Sequence, residues 1–219
     1  MKDKAYSIIS GGMDSTLATF LAKKKYSQIA ALFIDWGQKS MDDEWAAVQK
    51  VCAKLDINKI EKIEVPIYKW DKSSLTQGDR KEVDDNFMVP ERNLIFISLA
   101  ASYARANGGG SLIVGFNKDD GGYDTSKEFV DQINVFFKQG TKELDGYTGT
   151  YLHGTVITLE APLIEYDKKK IVEELKANGL YDLTYTCYAA KGPCGKCKAC
   201  KKKEASFTSY GSKEHVQNP

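Results

Sequence analysis

The sequence predicts an α/β fold, a Rossmann-like doubly wound parallel sheet followed by a small C-terminal module with four cysteines. Short apolar runs alternate with segments of helical period over the first two-thirds of the chain. Lysines and cysteines replace that pattern after Lys191. At 219 residues the chain has room for one ordinary domain and a small appendage. We therefore expect a domain over residues 1–185, a cysteine module over residues 186–207 and a polar, frayed tail over residues 208–219.

The first half of the chain is predicted to form three strands and two helices. Strands are expected at residues 5–10, 29–35 and 59–65, and helices at residues 16–25 and 43–55. Residues 29–35 (IAALFID) are almost all apolar, as in a strand that is covered on both faces. In the second helix Trp45, Val48, Cys52 and Leu55 recur at helical spacing, so Cys52 is expected to be a small buried hydrophobe. The polar stretch over residues 68–88 has no clear period and is interpreted as a loop or lid.

The second half continues the alternation. Pro90 is well placed to open an apolar helix at Glu91, which the three glycines at residues 108–110 end. A buried strand is expected at residues 111–116, turns at residues 117–124, a helix at residues 127–138 and a strand at residues 155–159. Asp167 is a good N-cap for a last helix that runs to Asn178 and stops at Gly179.

Charge and composition exclude several classes of protein. The formal net charge is +1, which argues against a general binder of nucleic acid or of membrane surfaces. No stretch approaches the roughly 18 apolar residues of a membrane span, so a cytoplasmic protein is expected. Of the five cysteines, four lie close together near the C-terminus, which in a reducing compartment indicates a metal site before it indicates disulfides.

The segment SGGMDST at residues 10–16 lies between a predicted strand and a predicted helix. Two glycines allow a tight turn that exposes backbone N–H groups beside the helix N-terminus, and the hydroxyls of Ser10, Ser15 and Thr16 can add donors. We interpret the segment as a phosphate cradle, although a Gly-Gly turn that opens a helix is often only a connection. It lacks the motifs of P-loop NTPases and of dinucleotide folds, which indicates another kind of nucleotide use.

Four cysteines within fourteen positions can surround a tetrahedral ion: Cys187, Cys194, Cys197 and Cys200. Structural Zn²⁺ is the ion we predict, which makes residues 186–207 a zinc-binding module. A catalytic thiol pair, or three ligands of an iron–sulfur cluster, are the alternatives. Six lysines surround the cysteines and would balance the charge of −2 that four thiolates and one Zn²⁺ carry, or would form a tRNA-binding patch.

Two further segments follow predicted strands, at the carboxyl edge where parallel sheets bind ligands. One holds Arg92 and Asn93, and the other holds Asp119, Asp120 and Asp124. Arg92 can neutralise a carboxylate or a phosphate bidentately, and the carboxylates can hold Mg²⁺ or pair with a base. The bland alternatives are that Arg92 and Asn93 cap a helix and that the acidic loop is merely solvated.

The SGGMDS string resembles the PP-loop of the ATP pyrophosphatase superfamily, whose members split ATP between the α and β phosphates to adenylate an oxygen. A longer ordered set of motifs resembles the 7-cyano-7-deazaguanine synthase family over about residues 7–207. That set comprises SGGMDS at residues 10–15, DWGQ at 35–38, VPERN at 89–93, VGFN at 114–117, GYD at 122–124, TCY at 186–188 and PCGKCKAC at 193–200.

The resemblance implies an ATP-dependent ligase-type enzyme that converts 7-carboxy-7-deazaguanine and ammonia into 7-cyano-7-deazaguanine for queuosine synthesis. The acid is adenylated, ammonia displaces AMP to give the amide, and a second ATP activates the amide so that elimination leaves the nitrile. ATP with Mg²⁺ and structural Zn²⁺ are the implied cofactors, and AMP and pyrophosphate are the expected products. No tRNA and no membrane is required, and the family tends toward homodimers.

The motif positions that match the family identify candidate site residues. The catalytic candidates are Asp14, Ser15 and Arg92. The same three are expected to bind ATP together with Ile9, Ser10, Gly11, Gly12, Met13, Thr16, Gln38, Asn93, Gly115, Asp119, Asp124 and Lys168. The metal ligands are the four cysteines of the module. Lys168 stands opposite a lysine that the family usually has, and its alternative is a solvated lysine in a first helical turn.

The sequence departs from the family pattern in two loops. Basic residues including a histidine usually follow the Tyr-Gly-Gln of the family, whereas here the string is WGQKS at residues 36–40 and the acidic partner becomes Asp43 or Glu44. The loop after Tyr123 is one residue shorter and lacks an arginine. Two alternatives therefore stay open: a PP-loop enzyme that stops at the amide or acts on another acceptor such as tRNA, and a non-catalytic zinc-bearing RNA-binding module.

Overall fold

The computed structural model describes residues 2–79, 84, 86–146, 155–201, 203 and 204. In these ranges five parallel strands form one sheet: β1 (Lys2–Ile8), β2 (Tyr26–Asp35), β3 (Lys59–Glu64), β4 (Gly110–Ile113) and β5 (Ile157–Glu160). Their spatial order is β3-β2-β1-β4-β5. The chain therefore leaves β1 in one direction and returns to its other side at β4, and the gap above these two strands is where such sheets bind ligands.

Helices cover both faces of the sheet, as the predicted doubly wound α/β class requires. They are α1 (Met13–Lys25), α2 (Met41–Lys54), α3 (Arg92–Ala106), α4 (Lys127–Asp145) and α5 (Lys168–Ala177). Tyr6 and Leu112 point into the core beneath α3 and α4. Their strand neighbours Ala5 and Ile113 point into the opposite core, beneath α1 and α5, while α2 packs beside it over β2. The predicted fold class is confirmed.

Several element boundaries differ from the sequence predictions for local reasons. Helix α1 begins at Met13 instead of residue 16, because Gly12 caps it and its carbonyl already accepts a hydrogen bond from the backbone N–H of Thr16 (3.0 Å). Helix α4 continues past residue 138 and through Gly140 to Asp145. Strand β4 ends at Ile113, three residues early, and the chain then turns toward the N-terminus of α1.

The polar stretch over residues 68–88, interpreted as a loop or lid, is tied down in its described part. The buried carboxylate of Asp71 accepts hydrogen bonds from the N–H and Oγ of Ser73 and from Oγ1 of Thr76 (3.2, 2.6 and 2.7 Å). Beneath it, Ile67 and Leu75 pack against Trp36. The described part of this stretch is therefore packed against the residue that follows β2.

The C-terminal segment packs back onto the first loop. The backbone N–H of Tyr185 donates to the carbonyl of Gly11 (2.9 Å), and the N–H of Lys191 donates to Oδ2 of Asp43 (2.8 Å). The predicted tail over residues 208–219 and the last residues of the predicted module lie outside the described residues. No helix in the described ranges is long and apolar enough to span a membrane.

Candidate active site

A cavity of about 270 Å³ opens at the carboxyl ends of β1, β2 and β4, above the point where the strand order reverses. The N-terminus of α3 and the C-terminal segment complete its walls. Of the residues expected to bind ATP, nine line it: Ile9, Ser10, Gly12, Asp14, Ser15, Gln38, Arg92, Asn93 and Gly115. Trp36, Phe96, Phe116 and Tyr188 add aromatic surface. The cavity is thus largely apolar with a few convergent polar groups, which is typical of a small-molecule site.

The loop at residues 10–16 is held against α2 so closely that only glycine fits at one position. Gly11 has φ +75°, and a Cβ there would lie 2.8 Å from the Cβ of Ala47 and 2.8 Å from the carbonyl oxygen of Glu44. The backbone N–H of Ser10 donates to Oγ of Ser15 (3.1 Å), which closes the turn. The first turn of α1 therefore presents its free N–H groups to the cavity, as an anion site requires.

Two residues of the loop at residues 10–16 have buried side chains that do not line the cavity. The side chain of Met13 is buried in the core beside α5. Thr16 is fully buried, and its Oγ1 has no hydrogen-bond partner among the described residues. The expected hydroxyl donors of the cradle are therefore reduced to Ser10 and Ser15, which both line the cavity.

Asp14 is paired with Lys168 from the other end of the domain. Nζ of Lys168 lies 2.6 and 2.7 Å from the two carboxylate oxygens of Asp14. The lysine side chain is only 15% exposed, so it is not a solvated lysine of the first turn. The backbone N–H of Lys168 also donates to Oδ2 of Asp119 (2.7 Å). This arrangement holds one positive charge beside the loop that is expected to bind phosphates.

Arg92 is a cation in the cavity that has no carboxylate partner among the described residues. Its guanidinium lies over the ring of Trp36, 5.4 Å from the ring centroid. No ion pair to Arg92 is present within the described ranges, although the buried carboxyl of Glu44 lies near enough to feel its charge. Arg92 starts α3 after Glu91, whose φ of +53° is rare for a residue other than glycine. An unpaired guanidinium on a cavity wall favours an anionic ligand.

The acidic loop does not form a metal site by itself. Asp124 accepts from Nδ2 of Asn93 (2.8 Å), and Asp120 accepts from Nδ2 of Asn117 (2.9 Å). Asp119 is bonded to the N-terminus of α5, and none of the three carboxylates lines the cavity. Asn93 thus holds the loop in place and does not cap its own helix. In the described part of the chain, the cysteines alone form a cluster of three or more potential metal ligands.

Glu44 is a cavity residue that the sequence left as one of two options. Its carboxylate accepts from Oγ of Ser40 (2.6 Å) and from Nε2 of Gln38 (2.9 Å). Burial raises the pKa of Glu44, and these hydrogen bonds and the charge of Arg92 oppose that rise. Oε1 of Gln38 in turn accepts from the N–H of Trp36 (3.0 Å), so Gln38 positions Glu44 at the end of β2. Asp43, the other option, is bonded to Lys191 outside the cavity.

The four cysteines converge as metal ligands would. The Sγ atoms of Cys187, Cys194, Cys197 and Cys200 all lie within 4.8 Å of one another. A tetrahedral ion with Zn–S bonds of about 2.3 Å needs sulfurs about 3.8 Å apart, so a small closure accommodates it. The N–H groups of Ala189 and Cys194 donate to the sulfur of Cys187 (3.4 and 3.3 Å), an arrangement that stabilises thiolates. Burial raises the pKa of Cys187 and raises that of Cys200 to about 12, whereas backbone donors lower the pKa of Cys194 to about 7. The residues therefore fit a metal ion.

Cys52 is a fully buried member of the core between α2 and β2. Burial raises the pKa of its thiol to about 11. A thiolate is the reactive form of cysteine, and this thiol stays protonated at neutral pH. The interpretation of Cys52 as a small hydrophobe agrees with this position.

The sequence patterns did not assign Trp36, Phe96, Phe116 or Tyr188 to the site. Trp36 stands directly after β2, and Phe116 stands three residues after the end of β4, which is a usable signal because ligands bind at that edge. Phe96 lies one helical turn after Arg92 and therefore on the same face of α3. Tyr188 follows Cys187, the first of the four cysteines, and nothing in its local pattern indicates that the module reaches the cavity.

The chain resembles known proteins over nearly its whole length. The family model described as "Queuosine biosynthesis protein QueC" matches residues 4–211. A 7-cyano-7-deazaguanine synthase from Campylobacter jejuni subsp. jejuni is 32% identical over 99% of this chain and 99% of its own length. One from a Synechococcus species is 34% identical over 96% of this chain and 97% of its own. The crystal structure of a 4-thiouridine synthetase in complex with RNA and with bound ATP has a TM-score of 0.52 at 18% identity. That similarity covers 95% of this chain and half of the synthetase, and it shows the fold alone.

Proposed function

The chain belongs to the queuosine biosynthesis protein QueC family, and from this we propose that it is an ATP-dependent 7-cyano-7-deazaguanine synthase. The substrates are 7-carboxy-7-deazaguanine, ammonia and ATP. The observation that supports the proposal is the cavity, which is lined by the loop at residues 10–16 and by Arg92, a guanidinium with no ion pair among the described residues. A site of this kind can bring a nucleotide phosphate and a substrate carboxylate together.

The loop at residues 10–16 holds the phosphates of ATP in this proposal. Free N–H groups at the N-terminus of α1 and the hydroxyls of Ser10 and Ser15 donate to phosphate oxygens. Lys168, held by Asp14, adds positive charge as pyrophosphate leaves. Because the acidic loop is not assembled as a metal site, we propose that Mg²⁺ enters with ATP and binds mainly to its phosphates.

Arg92 orients the acid in the first half of the reaction. A carboxylate oxygen attacks the α-phosphorus of ATP, the bond to the bridging oxygen breaks, and pyrophosphate leaves. Ammonia then attacks the carboxyl carbon of the adenylate, and AMP leaves with the former carboxylate oxygen, which gives the amide after loss of a proton. In the second half the amide oxygen attacks the α-phosphorus of a second ATP and pyrophosphate leaves. The amide nitrogen loses its two protons and AMP leaves with the former amide oxygen, which gives the nitrile. Arg92 can stabilise the negative charge that this oxygen takes up as AMP leaves in each half.

The cysteine cluster serves the fold of the site in this proposal. Cys187, Cys194, Cys197 and Cys200 would hold Zn²⁺, which supplies a closed tetrahedral cross-link and no open position for chemistry. The module is tied to the phosphate loop through the hydrogen bond from Tyr185 to Gly11. We place the protein in the cytoplasm, where the thiols stay reduced. We also propose a homodimer, for which the exposed side chains of Val135 and Phe136 on α4 offer a contact surface.

The test is mass analysis of the products formed from 7-carboxy-7-deazaguanine, ATP, Mg²⁺ and an ammonium salt. Nitrile with AMP and pyrophosphate supports the proposal. Amide alone shows an enzyme that stops halfway, and unchanged acid from a metal-loaded, folded protein shows that the acceptor is another molecule. A parallel incubation with tRNA and ATP covers that second case. Arg92→Met serves as the control variant, and it should lose turnover while its thermal unfolding stays close to that of the wild type.

A further inference from the structure

We propose that Tyr188 is a substrate-binding residue whose hydroxyl donates a hydrogen bond to an anionic oxygen beside Arg92. That oxygen belongs either to the carboxylate of the acid or to a phosphate of ATP. The inference rests on the proposed function for the identity of these ligands. In this proposal the cysteine module takes a direct part in ligand binding, in addition to its part in the fold.

The placement of Tyr188 is the first support. Within the described ranges, it is the one residue after Phe116 that lines the cavity, where it joins Asp14 and Arg92. The side chain is partly buried. It packs against the cysteine cluster and against the apolar cluster of Trp36, Ile67 and Leu75. Its ring stacks on Phe87, with centroids 6.4 Å apart and planes inclined by 30°. The ring therefore has a fixed position on the cavity wall.

The second support is the hydroxyl itself. No hydrogen bond to the Tyr188 hydroxyl is present among the residues that the structure describes, and its oxygen is not among the fully buried unpartnered atoms, so it is open to a ligand. Tyr185, three residues earlier, behaves in the ordinary way, because its hydroxyl donates to the carbonyl of Ala189 (2.6 Å). The two tyrosines, three positions apart, thus differ in how their hydroxyls are engaged. The hydroxyl of Tyr185 is bonded to the module, whereas that of Tyr188 has no partner among the described residues and belongs to a side chain that lines the cavity.

The third support is the charge of the surroundings. Arg92 has no ion pair in the described part of the chain, whereas the other charged groups near the cavity are engaged. Asp14 is paired with Lys168, and Glu44 accepts from Ser40 and Gln38. A phenolic donor beside a guanidinium without an ion pair forms a pocket for an anionic oxygen. Carboxylate and phosphate share this chemistry, and binding measurements on each ligand separate them.

The cysteine cluster explains how Tyr188 is held in place in a short irregular segment. Cys187 immediately precedes Tyr188, and its sulfur accepts from the N–H groups of Ala189 and Cys194. The backbone of Tyr188 is therefore held by the neighbouring Cys187, a proposed metal ligand, and its ring is held by stacking on Phe87. Binding groups are effective when neighbouring contacts fix their rotamers in this way.

The experiment compares Tyr188→Phe with the matched control Tyr185→Phe. Each variant loses one hydroxyl from the same C-terminal segment. The dissociation constants of 7-carboxy-7-deazaguanine alone and of α,β-methylene ATP alone are measured by calorimetry, together with metal content and thermal unfolding. Tyr188→Phe should weaken one of the two ligands by about 10-fold to 100-fold, the effect of losing a hydrogen bond to a charged group, with metal content unchanged. Tyr185→Phe should lower the unfolding temperature and leave both dissociation constants within about twofold of the wild-type values.

Loss of affinity for the acid assigns the carboxylate, and loss of affinity for the ATP analogue assigns the phosphate. The proposal is overturned if Tyr188→Phe binds both ligands as the wild type does, or if it loses its metal, because the role is then structural. A second variant, Tyr188→His, restores a ring with a donor and should bind more tightly than Tyr188→Phe. If the wild type binds the ATP analogue but neither binds nor converts the acid, the proposed function fails. The effect of Tyr188→Phe on the analogue then still decides the role of Tyr188.

Discussion

Replacing Gly11 by alanine tests whether the phosphate loop depends on its close contact with α2. At φ +75° a non-glycine residue costs about 1–2 kcal/mol. A carbon–carbon contact needs about 3.5 Å, and the new Cβ would lie 2.8 Å from the Cβ of Ala47. The loop and α2 would have to separate by about 0.7 Å, and overpacking of this kind costs about 1–3 kcal/mol. We expect Gly11→Ala to lose about 2–5 kcal/mol of stability in total.

For a chain of this length such a loss lowers the unfolding temperature by roughly 5–15 °C. Scanning calorimetry measures it, and pyrophosphate release from ATP reports the accompanying loss of activity. Gly12→Ala is the matched control, because φ is −75° there and the nearest atom to a new Cβ is the hydroxyl oxygen of Ser10 at 3.3 Å. That variant should unfold within about 2 °C of the wild type, as expected for a change below 1 kcal/mol. Equal losses in the two variants, or no loss in Gly11→Ala, would refute the reasoning.

Three more predictions follow from the site. Asp14→Asn should abolish ATP cleavage while the metal content stays that of the wild type, because Lys168 loses its anionic partner; retained pyrophosphate release would contradict this. Cys197→Ser should lower both bound zinc and the unfolding temperature, whereas Cys52→Ser should leave bound zinc unchanged; elemental analysis and calorimetry separate the two. Glu44→Gln should stabilise the fold at pH 8. Burial raises the pKa of Glu44 above its usual 4.5, so its ionisation costs stability as pH rises through the folded-state pKa. The advantage should shrink toward pH 4, and urea unfolding at the two pH values tests the sign.

The sequence predicted those features that depend on short stretches of chain. The alternation of apolar runs and helices predicted the α/β class, and strings of a few residues indicated the phosphate loop and the four cysteines. The length of α4 was underestimated. It continues past residue 138, where the guanidinium of Arg105 and the hydroxyl of Thr141 both donate to the carbonyl of Phe137. The contact from Arg105 joins α3 to α4, and a pattern of periodicity does not contain it.

The rest of the site depends on contacts between distant parts of the chain. The sequence pattern does not distinguish Glu44 from Asp43. In the structure Asp43 accepts a hydrogen bond from the backbone N–H of Lys191 in the module, whereas Glu44 lines the cavity. Tyr188 reaches the cavity because the backbone of Tyr185 is bonded to Gly11. The expectation that the acidic loop holds Mg²⁺ or pairs with a base stays a prediction, and the carboxylates of the loop are bonded to Asn93, Asn117 and the N-terminus of α5. Acidic residues alone do not show which partner they will take.

The ion pair between Asp14 and Lys168 spans 154 positions of the chain. During synthesis on the ribosome the N-terminal elements emerge first, so the phosphate loop is made long before the lysine that completes it. The wall that carries Tyr188 is made later still. A nascent chain can therefore form much of its sheet while it has no working nucleotide site. ATP would not be consumed by unfinished or prematurely terminated chains, since the catalytic centre is assembled almost at the end of translation.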